Sequence, residues 1–144
     1  MEEMAKALNE YLLQVAENLP LFEQFNLKRS VLNKNLTVQE IHTIALIGRL
    51  DSPKMSQVAE RAHVTMGTMT VMVNKLVRKG YVRRSRPDKD KRVVRVSLTA
   101  KGARVEKLHE EYHSKTIARI MTVLEESEQK QLLKLMQKVV AALG

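Results

Sequence analysis

Hydrophobic residues recur at intervals of three and four through the first part of the chain, a spacing typical of an amphipathic helix. These apolar positions are Met4, Leu8, Tyr11, Leu12, Val15, Leu19 and Phe22. Pro20 lies within the stretch and is a candidate bend. The same period returns in residues 99–124 and again after residues 125–127. We therefore predict long amphipathic helices at both ends of the chain.

Shorter periodic segments fill the middle of the chain. Thr37 and Glu40 have the spacing of a capping box, which predicts a helix that stops before Asp51. Hydrophobic positions follow the capping box at helical spacing, with Ile41 and Ile44 among them.

Two further helices are predicted in quick succession. Ser56 is the expected cap of a short helix over residues 57–62, and Thr65 is the expected cap of a helix that ends at Lys79. Gly80 follows at the position where many helices adopt a left-handed conformation. Two short helices separated by a tight turn are typical of the helix-turn-helix, a DNA-binding motif.

After Gly80 the period changes to two, which predicts strands over residues 81–86 and 92–98. Residues 87–91 combine a proline with charges and should form the turn between them. We predict a mainly α-helical fold with a small β-hairpin wing (α+β). The winged helix-turn-helix DNA-binding domain should occupy residues 31–102, and a helical dimerisation region should comprise residues 1–30 and 103–144. A small winged domain cannot cover both end helices, so we expect a two-fold homodimer.

The positive charge of the chain is concentrated in the predicted helix-turn-helix and hairpin. Of a net charge of +9, residues 75–95 carry +8, from ten basic and two acidic residues. The rest of the chain is nearly neutral, with fifteen basic and fourteen acidic residues. A localised basic patch on a neutral body indicates a protein that binds nucleic acid.

The outward face of the second short helix is predicted to read DNA in the major groove. Short polar side chains lie near its start, and basic ones follow, with Lys79 expected on phosphates. Asn74 is a candidate partner for adenine, and Arg92 for a minor groove. Asp88 and Asp90 are predicted to hold the hairpin loop and Arg92 in position by ion pairing. The predicted DNA-binding residues are Thr65, Gly67, Thr68, Thr70, Asn74, Lys75, Arg78, Arg84, Arg86, Lys89, Lys91 and Arg92.

Composition excludes several other classes of protein. There is no cysteine, which excludes disulfides, cysteine-ligated metals and thiol chemistry. The acidic, periodic start differs from a signal peptide, and no apolar run reaches the length of a membrane span. We expect a cytoplasmic protein that is not an enzyme and needs no cofactor.

One motif suggests different chemistry. Residues 109–113 read His-Glu-Glu-Tyr-His, which matches the H-E-x-x-H pattern of zinc proteases. Glu125, Glu126 or Glu128 could supply the third ligand on sequence distance alone. Tyr112 belongs to the apolar stripe of the predicted helix, and a protease would leave the basic patch unexplained. We therefore expect no metal at this motif, while a zinc hydrolase stays open as a remote alternative.

The hairpin and the residues after it resemble the MarR family of bacterial transcriptional regulators. The resemblance is carried by Asp88-x-Asp90-x-Arg92, followed by Leu98-Thr99-x-x-Gly102. It implies a homodimer on a pseudo-palindromic DNA site, with a ligand pocket between the dimerisation helices and the winged domain. Position 71 is often arginine in the family and is Val71 here, so a base contact at that position does not carry over.

Within the family, the chain is similar to the FabT-type repressors of fatty-acid synthesis genes. The similar segments include Asn9-Glu10-Tyr11-Leu12, Gly67-Thr68 and Leu108-His109. This implies repression with an acylated acyl carrier protein as co-repressor, received by basic residues such as Lys28, Arg29 and Lys34. A different small ligand, phenolic or drug-like, or a metal, that releases the protein from DNA is the alternative. The candidate effector residues are Phe22, Phe25, Ile41, His42, Ala45, His109 and His113.

Overall fold

The computed structural model describes residues 1–28 and 35–144, and the side chains of residues 1–15 and 35–144. The elements in these residues are α1 (Glu2–Lys28), α2 (Val38–Leu50), α3 (Met55–Arg61), α4 (Met66–Arg78), β1 (Val82–Ser85), β2 (Arg95–Leu98), α5 (Ala100–Met121) and α6 (Glu126–Leu143). The predicted mainly helical fold with a hairpin wing is confirmed. The chain divides into two compact units, residues 1–109 and 110–144. The assignment of residues 31–102 to a DNA-binding domain, and of residues 1–30 and 103–144 to a dimerisation region, stays a prediction.

Helix α1 continues through Pro20, so the proline does not interrupt it.

The start of α2 follows from local sequence. At the start of α2, the Glu40 backbone N–H donates to Thr37 Oγ1 over 3.1 Å, and the Thr37 N–H donates to Glu40 Oε2 over 3.0 Å. These two bonds form the predicted capping box, which satisfies two N–H groups that a helix start leaves without partners.

Helix α3 begins earlier than its sequence predicts, because its cap is Lys54 and not Ser56. Lys54 is extended and forms an antiparallel bridge with Arg95 at the edge of the hairpin. The Met55 N–H then donates to the Val94 carbonyl over 3.0 Å. The hairpin therefore fixes the extended residue that precedes the helix, and the helix starts immediately after it.

The hairpin strands pair antiparallel, with Val82 opposite Leu98 and Ser85 opposite Arg95. Both strands are shorter than predicted, since residues 86–94 form the wing loop. Gly80, which joins α4 to this hairpin, has φ +82 and confirms the predicted left-handed helix end.

The core of residues 1–109 is aliphatic and is shared by every element from α2 to α5. Its side chains with no exposed surface come from α2, α3, α4 and β2, and α5 adds Val105, which is 1% exposed. They are Ile44, Ile47, Val58, Val73, Leu76 and Val96. This core holds α4 and the hairpin in a fixed relation, which positions the candidate site.

Residues 110–144 contain the end of α5, a turn, and α6. The Gln129 side-chain amide donates to the carbonyls of Met121 and Leu124, each over 3.0 Å, and so closes the turn. Glu125 caps α6, with its N–H donating to Glu128 Oε2 over 2.8 Å. Across the described part of the chain, no helix combines the length and hydrophobicity needed to cross a membrane.

Candidate nucleic-acid interface

Helix α4 places one face in the core and the opposite face in solvent. Met69, Val73 and Leu76 are buried, at 2% exposure or less. The spacing of three and four residues between them puts the intervening positions on the outer face. That outer face carries the exposed residues Gly67, Thr68, Thr70, Val71, Asn74, Lys75 and Arg78.

The first turn of α4 is ordered by two threonines. Thr65 is the N-cap; its Oγ1 accepts from the Thr68 N–H over 3.2 Å and donates to Thr68 Oγ1 over 3.0 Å. Because the Thr65 hydroxyl proton is used inside the turn, this residue positions the helix start. The Thr68 hydroxyl keeps its own proton for an outside acceptor.

Two side chains further along the outer face are oriented by neighbours. The Thr70 hydroxyl donates to the Met66 carbonyl over 2.8 Å. Arg84, on β1, donates from Nη2 to the Asn74 side-chain oxygen. The second bond joins the wing to α4 and fixes which end of the Asn74 amide faces outward.

A groove of about 490 Å³ lies between α4 and the hairpin. Its lining combines apolar side chains, with Met55, Val93 and Val94 among them, and several cationic ones. The polar and charged residues that line it are Lys54, Ser56, Thr70, Asn74, Arg84, Arg86 and Arg92. Arginine and lysine around a groove beside an exposed helix suit the phosphates of a duplex.

The wing loop holds Arg92 in a defined orientation. The Arg92 Nε donates to Asp90 Oδ1 over 3.1 Å, and Nη2 donates to Oδ2 over 2.9 Å. The Arg92 backbone N–H also donates to Asp90 Oδ1, over 3.0 Å. The Arg92 side chain is 91% exposed all the same. The guanidinium is therefore oriented by Asp90 and still open to a ligand.

Asp88 pairs with a different arginine. Arg95 Nε donates to Asp88 Oδ1 over 2.7 Å, and Nη2 donates to Oδ2 over 3.1 Å. Arg95 Nη1 also donates to the Ser52 carbonyl over 3.1 Å. This forked contact ties the wing loop to the turn before α3. Asp88 thus acts at the base of the wing, and Asp90 at its tip.

These contacts shift the pKa values of the aspartates and arginines that form them. Hydrogen bonds from Arg95 lower the pKa of Asp88, and hydrogen bonds from Arg92 lower the pKa of Asp90. The same bonds raise the pKa of Arg92 and of Arg95. All four groups are therefore charged at neutral pH.

The other basic side chains near the wing differ in their contacts. Lys91 Nζ donates to the Arg86 carbonyl over 2.9 Å and so closes the loop. Lys89 is exposed, as are Arg84 and Arg86. These residues place positive charge along both sides of the hairpin.

Lys79 has a contact that differs from its predicted place on phosphates. Its Nζ donates to both carboxylate oxygens of Glu40, over 3.0 Å and 2.9 Å, and to the Asn35 carbonyl over 2.6 Å. Glu40 is only 3% exposed and the Lys79 side chain is 34% exposed, so the carboxylate end of this ion pair is shielded from water. Lys79 therefore anchors the end of α4 to the start of α2. The sequence carried a partial signal for it, since Glu40 closes the capping box and uses only one of its two carboxylate oxygens there.

Comparison with known proteins identifies the family of the chain. The family model described as "MarR family" matches residues 36–94, which run from the start of α2 to the wing. Over 96% of each chain, the protein is 34% identical to Streptococcus pneumoniae FabT, solved in complex with DNA, with a TM-score of 0.90. The chain belongs to the MarR family of DNA-binding transcriptional regulators.

Curated relatives of this MarR-family protein are more distant. The HTH-type transcriptional regulator BilQ of Clostridium symbiosum is 29% identical over 81% of this chain and 83% of its own length. The uncharacterised HTH-type regulator YhjH of Bacillus subtilis is 26% identical over 68% of this chain. That match spans 56% of YhjH, so the chain covers little more than half of this relative. MarR-family proteins are regulators without catalytic activity, which agrees with the expectation that this chain is not an enzyme.

The candidate effector residues fall into three groups. The side chains of Phe22 and Phe25, like those of Lys28, Arg29 and Lys34, lie outside the described residues. Ile41 and Ala45, on α2, are buried at 2% and 9% exposure, and Ile41 belongs to the main core.

The histidines form the third group. The rings of His42, on α2, and His109, on α5, meet edge to face with centroids 5.4 Å apart. The ring of His113 makes a similar contact with Tyr112, at 5.3 Å. The structure therefore brings His42 and His109 together, although they are distant in sequence.

The H-E-x-x-H motif lies on α5. Among the residues that the structure describes, no group of three or more histidine, aspartate or glutamate side chains is placed to hold a metal ion. Glu125 and Glu128, offered above as a third ligand, are instead joined to each other in the cap of α6. A zinc hydrolase also does not agree with membership of the MarR family.

Proposed function

We propose that this protein is a homodimeric, sequence-specific transcriptional repressor that binds a pseudo-palindromic operator. The observation that carries the proposal is the exposed polar face of α4 beside a groove rimmed by Arg84, Arg86 and Arg92. A helix of this kind enters the major groove with its N-terminal residues on base edges. The wing then brings Arg92 to the neighbouring minor groove, where arginine is favoured in narrow tracts. Because the target is DNA, the protein would act in the bacterial cytoplasm.

The apolar surface of the end helices supports the dimer. On α1, Met4, Leu8 and Leu12 are 58–72% exposed, and on α6, Met136, Val139 and Val140 are 50–62% exposed. Stripes of this kind at helical spacing are seldom left in water. A second copy of the same chain would cover them and would place two α4 helices on two half-sites.

The co-repressor we propose is an acylated acyl carrier protein, and the regulated genes are those of fatty-acid synthesis. The support is the similarity to FabT along nearly the whole chain. The contact between His42 and His109 is the second support, since it joins two candidate effector residues across two helices. An effector that changes this contact would act on α2, whose first turn is bonded to the end of α4 through Glu40 and Lys79.

Fluorescence anisotropy with labelled DNA from the chain's own upstream region tests DNA binding. We expect sequence-preferring binding that weakens steeply with salt, because phosphate contacts release counterions. Arg92→Ala should weaken it by at least about ten-fold, while Arg104→Ala, an exposed site on α5, serves as control. Thr68→Ala should reduce discrimination between sites more than non-specific affinity. Equal affinity for all sequences would overturn the proposal.

The co-repressor is tested in the same assay. Acylated acyl carrier protein should tighten operator binding, and the unacylated carrier should not. The matched variant is His109→Phe, which keeps a ring in the contact with His42 and removes its polar nitrogens. A tightening that is equal with both carriers, or weakened binding with a phenolic ligand alone, would favour the other signal classes.

A further inference from the structure

Val71 is an apolar residue on the face of α4 that would meet DNA. Its side chain is 56% exposed, and it lies in the same outer stripe as Gly67 and Asn74. A single exposed apolar residue is common on protein surfaces and decides nothing by itself. Its role follows from the orientation of its neighbour Asn74, one turn later on the same face.

Asn74 presents its amide nitrogen outward. An arginine carries only donors, so the Asn74 atom that meets Arg84 Nη2 has to be the side-chain oxygen. The amide nitrogen therefore points away from Arg84. Among the described residues, this nitrogen donates to no protein atom. Asn74 thus offers a hydrogen-bond donor to the major groove, while its acceptor is occupied.

This orientation is unfavourable for adenine. Asparagine recognises adenine by accepting from N6 and donating to N7 at the same time, and the first contact needs the oxygen that Arg84 holds. A single outward donor can reach O4 of thymine, N7 or O6 of guanine, or N7 of adenine. The expected two-bond contact with adenine is therefore lost, and the donor alone does not select a base.

Val71 distinguishes thymine from both purines, because only thymine carries a methyl group on this edge. Residues three apart on a helix are surface neighbours, with Cβ atoms about 5–6 Å apart. Thymine presents its 5-methyl group next to O4 in the major groove, and small apolar side chains contact that methyl. An outward donor from Asn74 and the methyl groups of Val71 therefore match the two adjacent features of one base.

We propose that Val71 and Asn74 together read thymine in each half-site, with Arg84 as the positioning residue that holds Asn74 in its donor orientation. This inference rests on the proposed function, because it needs α4 to lie in the major groove.

The test replaces each thymine of a selected operator half-site by deoxyuridine, which removes only the 5-methyl group. At one position per half-site, we expect the wild-type protein to bind about three- to five-fold more weakly. Val71→Ala should lose this difference. Val64→Ala is the matched control, since Val64 is also an exposed apolar residue but precedes α4; it should keep the difference.

The positioning role of Arg84 has its own readout. Arg84→Met frees the Asn74 oxygen, so affinity for operators with adenine at the same position should rise relative to affinity for those with thymine. Asn74→Ala should remove the base preference both in the wild-type protein and in Arg84→Met. Arg83→Met removes the same charge from the adjacent position of β1, whose side chain points to the other side of the strand. It should lower affinity without changing the order of preferred bases.

The outcomes separate this inference from the proposed function. Tolerance of deoxyuridine at every position, or a wild-type preference for adenine that Asn74→Ala abolishes, would overturn the thymine assignment while leaving DNA binding established. Absence of any sequence preference would overturn the proposed function itself. A uniform loss of affinity in Arg84→Met, with the base order unchanged, would reduce Arg84 to a phosphate contact.

Discussion

Helices α4 and α6 contain similar proportions of apolar residues but bury them very differently. In α4, Met69, Val73 and Leu76 are buried within the chain. In α6, which the structure describes completely, no residue is buried, and Leu133 and Val140 are each 62% exposed. Both helices are amphipathic, so the difference lies in what covers their apolar faces.

This contrast separates stability that comes from packing within one chain from stability that comes from association of two chains. The winged part completes its core from one chain, so its stability should not depend on protein concentration. In the proposed dimer the apolar face of α6 would be covered on association, which would make that contribution depend on concentration. Substitutions on the two helices should therefore be distinguishable by dilution.

The largest effect is expected for Met136→Lys on α6. A charge in the exposed apolar stripe should prevent dimerisation, and loss of the second half-site should cost at least about a hundred-fold in operator affinity. Sedimentation equilibrium measures the dimer, and anisotropy measures binding. Gln137→Lys adds the same charge one residue away and should leave both unchanged. A dimeric Met136→Lys protein would remove α6 from the interface.

Leu76→Ala should give the next largest effect. Leu76 has no exposed surface and packs in the core from α4. Truncation of a buried leucine costs about 2–5 kcal/mol of unfolding free energy, from lost transfer energy and the cavity left behind. Urea denaturation should report this loss equally at low and high protein concentration. A loss of unfolding free energy that disappears on concentrating the protein would show that the core around Leu76 is not completed within one chain.

Lys79→Met should have an intermediate effect. It removes the partner of Glu40, a carboxylate that is 3% exposed, at a cost of about 1–3 kcal/mol. The double variant Lys79→Met/Glu40→Gln should recover much of this loss, since no buried charge is left unpaired. DNA affinity, measured at a temperature where both variants are folded, tests whether the pair also positions α4. An unaffected Lys79→Met protein would show that water reaches Glu40.

Much of this fold follows from local sequence signals. Periodicity and capping residues together predict the helices in the part of the chain that the structure describes, and the caps at Thr37 and Thr65 follow from a few adjacent residues. The start of α3 could not be predicted this way, because Lys54 is fixed by Arg95, which is distant in sequence.

Predictions for the candidate site divide in the same manner. Exposure of the α4 face follows from helical period alone. The partners of Asn74 and Lys79 depend on β1 and α2, so a single segment contains no information about them. Sequence therefore indicated which residues of α4 are exposed, while the hydrogen bonds that orient them required the assembled fold.

Gly67→Ala should change stability and binding in opposite directions. A Cβ at Gly67 would meet only Thr65 Oγ1, at 3.9 Å, so alanine fits and should add up to about 1 kcal/mol of stability. The same methyl group would separate α4 from the bases and weaken DNA binding. Gly102→Ala is the contrasting control, because its Cβ would clash with the Tyr81 carbonyl oxygen. Unchanged DNA affinity in Gly67→Ala would show that the helix does not approach the bases closely there.

The smallest effect is expected from pH acting on the wing. Because arginine contacts lower the pKa of Asp88 and Asp90, both carboxylates keep their partners above the ordinary aspartate value of about 3.9. The stabilisation is lost only as the pH falls through the lowered values. Carboxyl-carbon NMR titration should therefore give midpoints below about 3.9 for both residues, with no change in the wing between neutral pH and pH 5.

Asp90→Asn makes this test specific to each end of the wing. In this variant, the NMR signal of the Arg92 side-chain N–H should no longer shift on acidification. The corresponding signal of Arg95 should still shift, because its partner is Asp88. Operator affinity of this variant at neutral pH then shows what orientation of Arg92 contributes, since the guanidinium keeps its charge. A midpoint at or above the ordinary aspartate value would mean that the pair does not persist in solution, and that Arg92 reaches DNA without Asp90 to orient it.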